Sequence, residues 1–252
     1  MITSHKGQIM SFYPPESGGG SNGPLPPASI PDLYNPNKTA RFFWECFGSG
    51  TGMPSPLGST TTNATWAQVA DGSRVGVVEA TSSTTANGFA WLGAGTQGVP
   101  LLAAPIMTFY FKTPTVIDAA SIIKIGLTVN VAGNNDVTGI DIQGATAKIT
   151  NIINGVANQT SGSITLVANT WYTARINFTS ATSVTCTLYS AAGASLLTNT
   201  MTAPFAITAT VPATFNGLKA SNSGVVSVPM VRIDAYELVV NTSVSDRVYI
   251  DV

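Results

Sequence analysis

One pattern recurs along this chain: short runs in which apolar and polar residues alternate, each closed by Gly, Asn, Ser or Pro. Residues 170–178, TWYTARINF, are the clearest case, with Tyr172, Ala174, Ile176 and Phe178 on one side and Thr173, Arg175 and Asn177 on the other. Successive side chains of an extended chain point to opposite faces, so a period of two marks a strand with one buried face. After a polar link at 179–183, VTCTLYS puts Val184, Cys186 and Leu188 on one side, and Ala191-Ala192-Gly193 turns the chain into SLLTNT. Three strands joined by turn-forming residues predict an antiparallel meander. Comparable runs are RFFWECF (41–47), RVGVVEA (74–80), MTFYFKT (107–113), IIKIGLTVNV (122–131), GIDIQ (139–143), AKITNI (147–152), SITLV (163–167) and PMVRIDAYELVV (229–240). Only TWAQVAD around Trp66 and TVIDAAS around Ile117 read as a turn or two of helix. Many short strands with regular turn signals predict an all-β sandwich or barrel. No fixed sequence period favours a propeller or solenoid.

Composition narrows what such a body can meet. Charged residues make up 9% of the chain, where about 25% is usual, so its polar surface is mostly hydroxyl and amide. The 11 Lys and Arg residues are nowhere adjacent, and the net charge is −1. Phosphate backbones are held by clustered cations, so nucleic acid is not an expected partner. The most apolar stretch, GVPLLAAPIM, is cut by Pro100 and Pro105 and is too short to span a bilayer, so no membrane is expected. The opening MITSHKGQIMSFYPP lacks the apolar run of a secretion signal, which suggests synthesis in a cytoplasm. Cys46 and Cys186 are too few for a disulfide framework and are expected as buried thiols. A chain of 26.0 kDa can bury about 70% of its surface and needs neither disulfides nor metal.

The chain divides into three parts. Residues 1–38 hold seven prolines and the run Gly18-Gly19-Gly20, a composition that sustains neither sheet nor helix. Yet the segment also carries Phe12, Tyr13, Leu25 and Tyr34, which a spacer does not need. An extended docking arm that buries these side chains against a neighbouring chain accounts for both features. Residues 39–240 form the sandwich, and 241–252 are a tail ending on the alternating RVYIDV, a candidate edge strand.

Catalytic chemistry is poorly provided for. The only histidine, His5, lies in the arm, so Ser–His–Asp, Cys–His and zinc arrangements lack their residues. No glycine-rich phosphate loop stands between a strand and a helix. Paired carboxylates remain: Asp136/Asp141, Asp234/Glu237 and Asp246/Asp251, spaced five, three and five apart. On a regular strand odd spacings point to opposite faces, so glycoside hydrolysis would need a bulge or a turn. The loop AGNNDVTGID gathers Asn134, Asn135 and Asp136, which reads as a turn before it reads as a calcium site. Together with Trp66, set in a polar Thr/Asn run, these residues are the candidate sugar contacts. No cofactor is expected.

The run from TWYTARINF through VTCTLYSAAGASLLTNT, followed by PMVRIDAYELVV, resembles concanavalin A-like (laminin G-like) jelly-roll domains. There a Trp-Tyr opens a strand, a strand of the VTCTLYS kind and a small-residue turn follow, and a RIDAYEL-like strand closes the sandwich. The resemblance spans about residues 39–240 and is sharpest over 170–240. It implies an antiparallel two-sheet jelly-roll sandwich. The Glu-x-Asp-x-x-Glu strand of the glucanase branch has no counterpart, so no catalytic residue carries over. A Pro/Gly-rich arm before a Thr/Ser/Asn/Ala-rich jelly roll also looks like tailed-bacteriophage virion proteins. That likeness implies a non-enzymatic capsid decoration or head-fibre subunit on the virion surface, made in the host cytoplasm. Its expected partners are the major capsid protein and neighbouring subunits, in a homo-oligomer, a trimer before a dimer. The alternatives are a carbohydrate-binding fibre or tail module that meets a cell-surface glycan, and a glycoside hydrolase.

Overall fold

The computed structural model describes residues 39–45, 58–72, 74, 76–93, 105–128, 136–205 and 216–241. All of them belong to one unit, Asp32–Val252. The docking residues Phe12, Tyr13, Leu25 and Tyr34, the loop residues Asn134 and Asn135, Cys46 and the tail after Asn241 lie outside the described residues.

Alternating strands that each own one apolar face bury it most simply by stacking two sheets, and that is what this chain does. One sheet has eight strands. Its path runs β13 (Ser195–Thr202), β12 (Ser183–Ser190), β11 (Trp171–Ser180), β6 (Ile106–Lys112), β15 (Pro229–Asn241), β4 (Val78–Ser82) and β3 (Ala64–Gln68). The thirteen-residue β15 is long enough to pair with β4 at its start and with β1 (Thr39–Glu45) at its end. The facing sheet has seven strands: β10 (Val156–Thr165), β9 (Thr146–Ile153), β8 (Val137–Gln143), β7 (Ser121–Thr128), β14 (Asn216–Asn222), β5 (Gly88–Gly93) and β2 (Gly58–Thr62). Every pairing is antiparallel, and the described residues contain no helix. The predicted meander is β11–β12–β13, with Tyr172, Ala174, Ile176 and Phe178 turned into the core.

The core lies between the sheets. Phe109, Phe111, Phe178 and Tyr236 from the eight-stranded sheet meet Ile125, Leu127, Ile140 and Ile149 from the other. Phe109 stacks on Tyr236 with centroids 4.5 Å apart, and Phe111 on Tyr172 at 5.8 Å. Such pairs add about 0.5–1.5 kcal/mol each beyond their burial. Cys186 is inside, and burial pushes its thiol pKa up.

The seven-stranded sheet departs from simple alternation. β5 is buried at all six positions and β8 at six of seven, so both faces of its central strands are withdrawn from water. On the face away from the core, register aligns Trp91, Lys219, Lys124 and Asp141 across four neighbouring strands, and all four are buried. The adjacent row is glycine on five successive strands: Gly58, Gly93, Gly217, Gly126 and Gly139. At Gly217 the reason is space. A Cβ there would press on the Leu92 carbonyl and lie 2.9 Å from the Trp91 indole, which crosses β14 to donate from Nε1 to Thr128 Oγ1 at 3.1 Å.

Four strands escape the alternation reading. β5 fails because both its faces are buried, β2 because Ser and Thr supply four of its five residues, and β3 because Trp66 is its one large apolar side chain. β14, with Lys219 and Asn222 buried, hides its pattern in the same way as β5. The TWAQVAD segment is not helical: Ala64–Gln68 is strand, with only Trp66 buried. The TVIDAAS segment forms bends and a turn instead of helix, and RVGVVEA yields a strand only from Val78 onward.

Candidate functional site on the outer face of the eight-stranded sheet

Side chains that alternate away from the core on β6, β11, β12 and β15 form the second face of the eight-stranded sheet. Register sets them in rows. Thr108 faces Glu237 on one side and Arg175 on the other, and Arg175 in turn faces Thr187. One row along, Tyr110 faces Thr173, which faces Tyr189. These rows, with Ile106 and Val239, line an open groove of about 490 Å³. Glu237 and Thr108 lie at its buried floor, Tyr110, Tyr189 and Thr173 are half-buried, and Arg175 is exposed.

A bulge in β15 makes this arrangement. Pairing with β6 shifts register between Ile233 and Ala235. Before the shift Val231 and Ile233 point inward; after it Tyr236 and Leu238 do. One extra residue therefore turns the odd spacing of Asp234 and Glu237 into placement on the same outer face, against the expectation for a regular strand. Asp234 is already engaged: it ion-pairs with Arg74, whose guanidinium lies 4.2 Å from the Trp171 ring centroid.

Beyond Tyr110 the face is ionic. Lys112 Nζ donates to both oxygens of Asp71 at 2.8 and 3.0 Å, and Arg232 Nη1 reaches Asp71 at 3.2 Å. Arg232 Nε donates to Glu79 at 2.6 Å. Burial acts to raise the Asp71 carboxyl, but the hydrogen bonds and charges of Lys112 and Arg232 outweigh it and hold the pKa below its ordinary value. Glu79 foremost, opposed by burial and aided by Asp71, raises that of Arg232. These ties fasten the connection between β3 and β4 to the sheet beside the groove. Among the described residues Arg175 finds no ion-pair or side-chain hydrogen-bond partner.

The residues singled out from the sequence fall elsewhere. Trp66 is 6% exposed and packs in the core, its indole N–H donating to the Trp91 carbonyl at 3.3 Å. That withdraws it from any ligand face. A single inward aromatic in an otherwise mostly exposed strand is a core anchor. Asp136 is buried and accepts the Gly155 N–H at 2.9 Å, fixing the β9–β10 turn. Asp141, its sequence neighbour in the carboxylate count, pairs with Lys124 on the other sheet. Among the described residues no group of three His, Cys, Asp or Glu side chains is placed to hold a metal ion. Tyr110, Tyr189 and Arg175 are not among the sequence candidates, although each occupies the polar side of an alternating run, and Glu237 enters the sequence reading only as a carboxylate paired with Asp234. An aromatic on the polar side of an alternating strand was the available signal; only the cross-strand register brings the four together.

Two stacked antiparallel sheets with this connectivity define a concanavalin A-like β-sandwich. Within that class the chain belongs to the SO2946-like family: residues 73–234 match the SO2946-like, C-terminal domain. The crystal structure of SO2946, a protein of unknown function from Shewanella oneidensis MR-1, is similar with a TM-score of 0.75 and 23% identity, over 92% of this chain and 100% of that one. Peanut lectin, solved with a 9mer peptide, is similar at 0.56 and 13% identity, covering 81% and 97% of the two chains. The lectin UEA-II, complexed with galactose, gives 0.52 and 11%, covering 80% and 98%. No curated protein sequence matches this chain.

Proposed function

We propose that this chain is a non-catalytic carbohydrate-binding module, with the groove on the outer face of the eight-stranded sheet as its saccharide site. The observation that carries this reading is the groove itself: Tyr110 and Tyr189 beside Thr108, Thr173, Arg175 and Glu237. Saccharides present apolar C–H faces and rings of hydroxyls. Tyrosines serve the first, and a few directed hydroxyl and charged groups serve the second. The fold shared with lectins, one of them complexed with galactose, supports the reading. Hydrolysis is disfavoured because it needs two carboxyl groups free to flank one bond, and Asp234 is tied to Arg74. A glycan array followed by calorimetry tests the proposal. The wild type should bind at least one saccharide with a Kd between micromolar and millimolar, and Tyr110→Ala should weaken it at least tenfold. An array with no sugar-dependent signal from folded wild-type protein refutes it.

We further propose that the module is carried on a phage particle, as a capsid-decoration or fibre subunit attached through residues 1–38. The support is the sequence of that segment, where Phe12, Tyr13, Leu25 and Tyr34 stand among prolines and glycines. Each such side chain contributes about 1.5–3 kcal/mol when it leaves water, and a symmetric homo-oligomer, a trimer by preference, repeats the contact. Deletion of residues 1–38 should abolish incorporation into particles; wild-type occupancy by the truncated chain overturns this.

A further inference from the structure

We propose that the groove selects saccharides bearing a carboxylate, with Arg175 as the residue that recognises it. The inference rests on the carbohydrate-binding reading above and specifies its ligand class. It starts from a contrast among cations. On this face Arg74 is paired with Asp234, Lys112 with Asp71, and Arg232 with both Asp71 and Glu79. Among the described residues Arg175 has no such partner, and it is exposed. In a chain with only 9% charged residues, a solvated hydroxyl would serve an ordinary surface position as well as this cation does.

Its surroundings explain what it can hold. The cross-strand neighbours of Arg175 are Thr108 and Thr187, and Thr173 and Asn177 flank it along β11. All are neutral, so none neutralises the guanidinium; the Thr108 hydroxyl lies beside it, as does that of Thr187, which accepts from Thr198 Oγ1 at 3.3 Å. Glu237 lies two strands away, on the far side of Thr108, about 10 Å off by strand spacing. The groove therefore has a cationic end. A planar carboxylate matches the two parallel donors of a guanidinium fork. A bound acidic sugar would set its carboxylate at Arg175 and lay its ring along the groove toward Tyr110 and Tyr189. The groove volume, about 490 Å³, lies within the range of about 300–1,000 Å³ usual for small-ligand sites.

The test is calorimetry with two matched pairs, tetragalacturonate against its carboxyl-reduced form and sialyllactose against lactose, with sulfated lactose as the control for charge alone. At low salt the wild type should bind the acidic member of at least one pair tenfold or more tighter than its neutral partner, and tighter than the sulfated sugar. Arg175→Met should remove that preference, and Arg175→Lys, which keeps the charge but not the fork, should restore only part of it. Equal affinity within both pairs, a sulfated sugar bound as tightly as the carboxylated one, or a preference unchanged in Arg175→Met overturns the inference. If neutral sugars on the array still bind in a Tyr110-dependent way, the carbohydrate-binding reading survives that failure. Absence of every sugar signal overturns both. Arg175 is exposed, and matched melting temperatures of the variants confirm that a binding change is not unfolding.

Discussion

Replacing Asp141 by Asn should be among the costliest single-atom changes this domain can suffer. Lys124 Nζ and Asp141 Oδ1 lie 2.8 Å apart with side chains only 3% and 4% exposed, and Gln143 Nε2 donates to the second Asp141 oxygen at 2.9 Å. At that separation and an effective dielectric constant of about 20 the gross attraction is roughly 6 kcal/mol. Withdrawing the two ions from water costs several kcal/mol each, so the intact pair is near balance. The asymmetry appears when one partner goes. Asn leaves the Lys124 ammonium buried with only a dipole to face, and Lys219 stands beside it in the next strand. The expected loss is about 3–5 kcal/mol, or roughly 6–20 °C in Tm at two to four degrees per kcal/mol for a domain of this size. Lys124→Met alone should also destabilise. The double variant Lys124→Met/Asp141→Leu should recover most of the loss, because an apolar pair of similar volume needs no desolvation. Urea unfolding at fixed m provides the three free energies of the double-mutant cycle. A loss below about 1 kcal/mol for Asp141→Asn, or additive single effects, would show that water reaches this row, and the reasoning would fail.

Three further outcomes follow from neighbouring features. Burial, reinforced by the Lys124 charge and opposed by Asp136, lowers the Lys219 pKa to about 8 from 10.5. The folded state therefore releases its proton first, and stability should rise between about pH 8 and 10.5, by about 3 kcal/mol in all; Lys219→Met should flatten that rise in denaturation curves taken across the window. Gly217→Ala should cost about 1–3 kcal/mol by forcing a Cβ against the Trp91 indole, and near-UV circular dichroism should show the Trp91 signal altered. Asp71→Asn should cost about 1–3 kcal/mol, since Lys112 is buried and would lose the carboxylate it donates to. That is less than for Asp141→Asn because the site is only part-buried, and hydrogen exchange should speed up at Asp71 and Arg74. The same loosening should occur in the wild type under acid: a carboxyl depressed in the fold stabilises above its ordinary pKa, and that support fades as pH falls through the depressed value.

The legibility of this chain depended on whether one face or two were buried. Where one face meets the core and the other is at least partly open to water, alternation survives in the text, and β6, β9, β11, β12, β13 and β15 could be placed from it. Where both faces are withdrawn, as along Gly88–Gly93, the run GFAWLG carries no period at all. Charge misled for the same reason. Lys124, Lys219 and Asp141 look like surface residues in the sequence, yet all three are buried, because ion pairing and company in a cross-strand row make burial tolerable. The site shows the complementary limit. Tyr110 and Arg175 are visible as polar-side residues of separate runs, but their juxtaposition is a property of register, which no single run contains.

The two sheets thus divide the chemistry of a chain that has little charge to distribute. On the seven-stranded sheet the outward row is sealed, its glycines making room for an indole and its ions paired beneath; mutation there changes stability. On the eight-stranded sheet the outward rows stay open, and a bulge in β15 delivers Glu237 to the face already carrying Tyr110 and Arg175. That bulge sets the phase between the two halves of β15. Deleting Asp234 should make the pairing with β6 regular while Val231, Ile233, Tyr236 and Leu238 stay inward and Glu237 stays outward. The deletion should therefore remove the Arg74 ion pair and leave the rows in place, whereas inserting a residue between Ala235 and Tyr236 should flip Glu237 or the inward pair to the wrong side.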